Sequence, residues 1–220
     1  MNFIFLFIIL FIFVNNKKII DVEHIDQRKN YPTGCESIST IMCLHYNNIT
    51  ITPEDFIDNY LDKGIFYYKN GQLFGPNPKE KFVGSPYDEN SYGCYEPVIT
   101  RALNKLITDK NLNYEVKNLT DLPMKDIIEE YIDKDVPVIF WASMYMLPYI
   151  HGTAWIVPET GEKFQWRGNE HCLLLVGYDN ENYYFNDPLY RGHPTPYEKK
   201  LVEKRHGEQY SMAVALVKKN

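Results

Sequence analysis

The chain has 220 residues, 45% of them apolar and 24% charged, a balance that suits one globular domain with a full core. Its net charge of -6 and pI near 5.5 argue against a nucleic-acid partner, which needs a basic face. The short basic clusters Lys199-Lys200 and Lys204-Arg205 read instead as a solvated helix face.

Phe3 to Val14 is an unbroken apolar run. It is shorter than the ~20 residues of a spanning helix and fits the apolar region of a signal peptide. No Lys or Arg precedes it, and Asn15-Asn16-Lys17-Lys18 follows where a small-x-small cleavage site would stand. Residues 1–20 are therefore expected to be a signal peptide or an N-terminal anchor, with 3–14 as a membrane tether. The folded domain would be 21–220, secreted or held at the cell surface. A buried apolar helix is the alternative.

Cys35 to Tyr46 sets Ile38, Ile41, Met42 and Tyr46 at helical spacing, with Thr33 or Gly34 as cap. A second helix starts at Thr52-Pro53, with Glu54 and Asp55 in its first turn, and should stop at Gly64. Residues 64–97 have no periodicity, but eight aromatic residues among them argue against disorder. Helices are expected over Glu96 to Thr108 and Pro123 to Lys134. Strands follow at Val136 to Trp141, Ala154 to Val157 and His171 to Tyr178, the last with a hairpin partner at Tyr183 to Asn186. Thr195-Pro196-Tyr197-Glu198 reads as a capping box opening a helix that ends near Gly207. Ser211 to Val217 closes as a strand. Helices first and a mostly antiparallel sheet second make the α+β class, with a cleft between the two layers.

Four residue groups bear chemistry. In Tyr31-Pro32-Thr33-Gly34-Cys35-Glu36 the thiol opens a helix, whose N-terminus favours an anion and so lowers a thiol pKa. A buried structural Cys is the competing reading. His171 opens the strongest strand, directly after Asn169-Glu170, at a distance from Cys35 inside the ~130–150-residue window of papain-type enzymes. The other histidines are His24, His45, His151, His193 and His206, of which His151 is the main rival because Gly152 and a strand follow it. Asn186-Asp187-Pro188 ends the hairpin partner, where Asp187 could orient the imidazole; Asn186 is the second candidate, and a plain turn the bland reading. Gln27 could join the Cys35 backbone N–H in an oxyanion hole. Trp141, Trp166 and Tyr92 to Tyr95 are candidate cleft-lining residues, or ordinary packing. Gly34, Tyr92, Gly93, Trp141 and Glu170 are taken as the substrate-binding set. The four cysteines include no CxxC pair, so no zinc ribbon, metal site or cofactor is expected. A free Cys35 leaves three others that cannot all pair.

The order Gln, Pro-Thr-Gly-Cys-Glu-Ser, His-Cys-Leu-Leu-Leu-Val-Gly-Tyr-Asp and Tyr-Tyr-Phe-Asn-Asp-Pro resembles the C-thirty-nine-like peptidases of the papain superfamily. These are bacterial relatives of the bacteriocin-leader-processing peptidases. Gly84-Ser85-Pro86 and Gly93-Cys94-Tyr95-Glu96-Pro97 extend the resemblance across roughly residues 25 to 217. It implies a papain-like fold and a cysteine peptidase with Cys35 as nucleophile, His171 as base, Asp187 as orienting acid and Gln27 as oxyanion donor. The substrate would be a peptide or other amide outside the cytoplasm. A cell-wall peptide amidase and a catalytically silent binding protein on the same fold are the alternatives.

Overall fold

The computed structural model describes residues 17–190 and 194–219, so the apolar run at 3–14 and His193 lie outside the described residues. No helix among those described is long and apolar enough to cross a membrane.

A two-residue strand, β1 (Lys18–Ile19), precedes the buried helix α1 (Cys35–Tyr46). Residues 35 to 44 of α1 are all buried, which makes it the central helix of the molecule. Next comes α2 (Pro53–Asn59), where Thr52 Oγ1 accepts from the Asp55 N–H. It ends at Tyr60, short of the expected Gly64, because Gly64 pairs as a strand instead. The stretch without periodicity holds four short strands: β2 (Lys63–Gly64), β3 (Tyr67–Lys69), β4 (Gln72–Phe74) and β5 (Phe82–Val83). Helix α3 (Glu96–Asp109) follows, then β6 (Tyr114–Asn118), α4 (Met124–Glu130) and a 3-10 turn at Ile132–Lys134. The remaining elements are β7 (Val138–Ser143), β8 (Ile150–Ile156), β9 (Lys163–Gly168), β10 (Glu170–Tyr178), β11 (Asn182–Asn186), β12 (Thr195–Glu198), α5 (Lys199–Glu208) and β13 (Ala213–Lys218).

The main sheet has seven strands in the order β12-β11-β10-β7-β13-β6, with β1 also on β10, and every pairing in it is antiparallel. The expected α+β class therefore holds: α1 packs on β10 and β7, which are buried along both faces and read as continuous apolar runs. At the far end of β10 the backbone of β1 comes so close to Gly177 that any Cβ there would meet the Lys18 carbonyl oxygen. The folded sheet thus takes in Lys18 and Ile19, at the tail of the stretch assigned to export.

Thr195 to Glu198 is a strand, not a capping box. Pro196 sits opposite Tyr184 on β12, the edge of the sheet, where a missing N–H costs no ladder bond. Helix α5 begins only at Lys199 and has no side-chain cap.

A second sheet, β3-β4-β8-β9, stands apart from the first. Its inner face is aromatic: Trp155 meets Phe66 and Phe164 at ring distances of 5.0 and 4.9 Å, and Trp166 stacks on Tyr95 at 5.3 Å. Much of the aromatic excess is therefore packing. Asn169, in the left-handed region at φ 60°, turns the chain from β9 of this sheet into β10 of the other.

Candidate functional site

Three elements deliver the predicted residues to one place. Cys35 is the first residue of α1, His171 the second of β10, and Asp187 follows the last residue of β11. The β10–β11 hairpin pairs Leu174 with Asn186, which lays Asp187 beside the start of β10. His171 Nε2–H donates to Asp187 Oδ1 at 2.8 Å, and both side chains are fully buried. Asp187 also accepts the Leu189 backbone N–H on Oδ1 at 2.9 Å and the Tyr197 hydroxyl on Oδ2 at 3.1 Å. Burial works to raise its pKa, but the His171 charge and these donors outweigh it and hold the carboxyl below its ordinary value. His24 Nε2–H donates to the Asp187 carbonyl at 2.8 Å and ties the N-terminal segment to the same turn. Asn186 is turned away: its Nδ2–H donates to the Val22 carbonyl at 2.7 Å.

Cys35 and His171 line one cavity of about 320 Å³, together with Gln27, Tyr92, Trp166 and Glu170. Gln27 is buried; its Nε2 donates to the Pro32 carbonyl at 3.1 Å, which leaves the second N–H of that amide. Its backbone N–H reaches the Pro188 carbonyl at 3.0 Å, joining the loop before α1 to the Asp187 turn.

The electrostatics of Cys35 differ from the expected helix-terminus effect. The Cys35 thiol donates to Glu36 Oε2 at 3.3 Å. Burial, then the Glu36 and Glu170 carboxyls, pushes the thiol well above its ordinary value, so in the resting protein it holds its proton. Glu36 is fully buried, and burial raises it to about 7 although its Oε1 accepts the Cys94 N–H at 2.5 Å. Burial raises Glu170 well above its ordinary value, and the Glu36 charge adds to the effect. A Cβ on Gly93 would meet oxygens of both carboxyls, so glycine there lets the pair close in.

Of the predicted substrate-binding residues, Tyr92 and Glu170 line the cavity. Tyr92 is braced by its hydroxyl on Thr153 Oγ1 at 2.6 Å. Gly93 lies behind the wall, against the two glutamates. Gly34 is the N-cap of α1, its carbonyl accepting the Ile38 N–H at 2.9 Å, and does not line the cavity. Trp141 does not line it either: it is fully buried in β7 with its indole N–H on the Cys94 carbonyl at 3.0 Å, a core residue. The rival histidines are elsewhere. His151 is on the exposed strand β8, His45 donates to the Ile51 carbonyl at 2.8 Å, and His206 Nδ1–H donates to the Trp141 carbonyl at 2.8 Å. All four cysteines are free and buried.

Sequence reasoning missed Tyr197, the Leu189 N–H and His24. Tyr197 carried a misleading signal, because the capping-box reading put it in a helix. Leu189 acts through its backbone N–H and His24 through a bond to a backbone carbonyl, contacts that no side-chain pattern marks.

The profile of the Peptidase_C39 like family matches residues 19–214. The chain belongs to that family. A crystal structure described as a C39-like peptidase, from Bacillus anthracis, superposes with a TM-score of 0.80 at 26% identity, covering 93% of this chain and 99% of that one. The uncharacterized protein YvpB of Bacillus subtilis (strain 168) is 25% identical over 186 residues, 84% of this chain and 69% of the relative. The fold is thus that of a C39-like peptidase, and the matched span holds Cys35, His171 and Asp187 together.

Proposed function

We propose that this protein is a cysteine peptidase or closely related amide hydrolase. The observation that carries the reading is the buried His171–Asp187 hydrogen bond opening on the cavity that also holds Cys35, at a helix N-terminus. Asp187 fixes the imidazole with Nε2–H toward itself, so Nδ1 is the basic nitrogen. With a substrate carbonyl in the cavity, His171 takes the Cys35 proton as Sγ bonds to the carbonyl carbon. The Cys35 backbone N–H and the second Gln27 N–H stabilise the oxyanion. Collapse breaks the C–N bond, and His171 returns the proton to the departing amine. The thioester is then cleaved by water, whose proton passes to His171, releasing the acid and the thiol.

The raised pKa of Cys35 supports a base-dependent mechanism over a standing thiolate. A general base in this role contributes about 10²–10⁴-fold. Purified protein is incubated with casein and, separately, with cell-wall peptide; soluble product from one assigns the substrate class. A Cys35→Ala variant with full activity would sink the hydrolase reading. The apolar run at residues 3–14 supports action outside the cytoplasm, which a fractionation of the expressed full chain tests.

A further inference from the structure

The acyl transfer described above has no use for the Glu36–Glu170 pair, yet burying two carboxyls side by side is costly. Cys35 Sγ and one carboxyl oxygen each of Glu36 and Glu170 lie within 4.8 Å of one another, all three residues buried. Glu170 is 7% exposed and lines the cavity, and among the described residues its Oε1 has no hydrogen-bond partner. An orphaned acceptor of this kind asks for a cation or a donor.

We propose that this cluster is an inhibitory zinc site, with Cys35 Sγ, Glu36 and Glu170 as the three protein ligands and the fourth position open to water. The donor set decides the ion: sulfur beside carboxylates suits Zn²⁺, whereas Ca²⁺ and Mg²⁺ take oxygen alone. Zinc bonds of about 2.0–2.3 Å place tetrahedral donors roughly 3.3–3.8 Å apart, so the cluster needs to contract by only ~1 Å. As zinc binds, the thiol proton that rests against Glu36 and the carboxyl protons of the pair leave to solvent. The metal then draws charge from the sulfur and blocks its approach to a substrate carbonyl. The absence of any CxxC spacing hides the site in the sequence, because its ligands come from two elements brought together by the fold.

The test is metal titration of the full chain, stripped with chelator and kept reduced, read without substrate. Co²⁺ is added and the thiolate-to-cobalt charge-transfer band recorded; Zn²⁺ is then added to displace it. The expected result is a one-to-one band that Zn²⁺ removes. Cys35→Ser should lose it, and Cys43→Ala should keep it. Glu170→Gln, nearly isosteric, should weaken binding at least tenfold while thermal unfolding shows the fold intact. No band, a band unchanged in Cys35→Ser, or unaltered affinity in Glu170→Gln would overturn the proposal. The inhibitory role rests on the function proposed above, but the readout is binding: a protein that takes zinc and hydrolyses nothing keeps the zinc site and loses that function, and the reverse outcome does the opposite.

Discussion

Two carboxylate arrangements flank the same cavity, one ionised and one protonated. Asp187 is fully buried yet held below its ordinary pKa, because an imidazole, a backbone N–H and a phenol all donate to it. Burial pushes Glu36 and Glu170 up: the donors to Glu36 do not offset it, and Glu170 Oε1 has no partner among the described residues. The balance of burial against nearby charges and donors decides ionisation. One flank holds a permanent anion that orients a base. The other holds protons close to the sulfur.

The largest effect comes from breaking the ionised flank. Cys35→Ala should abolish hydrolysis, and His171→Ala should cut kcat/KM by about 10²–10⁴-fold, measured on whichever substrate the screen returns. Asp187→Asn keeps the shape but removes the charge that selects the tautomer, and at least ~10²-fold should be lost from kcat with the fold retained.

His206 extends the comparison to a base. Burial lowers it from 6.5 to about 4, with Nδ1–H on the Trp141 carbonyl and Nε2 lacking a partner among the described residues. Its folded pKa lies below its unfolded one, so the unfolded state binds the extra proton. The contribution is complete above pH 6.5 and declines as the pH falls, with about 3 kcal/mol gone below pH 4. Urea unfolding at a series of pH values reads this directly, and His206→Gln should flatten that segment of the curve.

Gly93→Ala sharpens the comparison on the protonated flank. Its methyl would meet Glu36 and Glu170, and forcing them apart should cost about 1–3 kcal/mol by thermal unfolding. Far from both flanks, Thr52→Ala removes one cap on α2, costing about 1 kcal/mol and leaving activity unchanged.

What could be read from sequence follows the range of the interactions. Helix α1 runs Cys35–Tyr46 as its 3.6-residue pattern implies, and the β10–β11 hairpin forms where two apolar runs meet across a turn. Both signals are local. The ionised flank was legible because that hairpin brings Asp187 to His171. The second sheet was not, since β3 and β4 are three residues each and β4 pairs in parallel with distant β8. Strand β6 alternates Tyr114 and Val116 with Glu115 and Lys117, a local signal that the sequence does carry. The Thr195 motif satisfied a helix rule, but the free edge of the main sheet claimed it, and that pairing puts Tyr197 on Asp187. The protonated flank was hidden entirely, because only the fold sets Glu170 beside Glu36.

The central claim is that Cys35 depends on His171 for its reactivity. The direct measurement is the rate of iodoacetamide labelling at Cys35, followed by peptide mass mapping at pH 7 with chelator present, in the natural chain and in His171→Ala. The account predicts that the variant labels at least tenfold more slowly. Equal rates in the two proteins would contradict it.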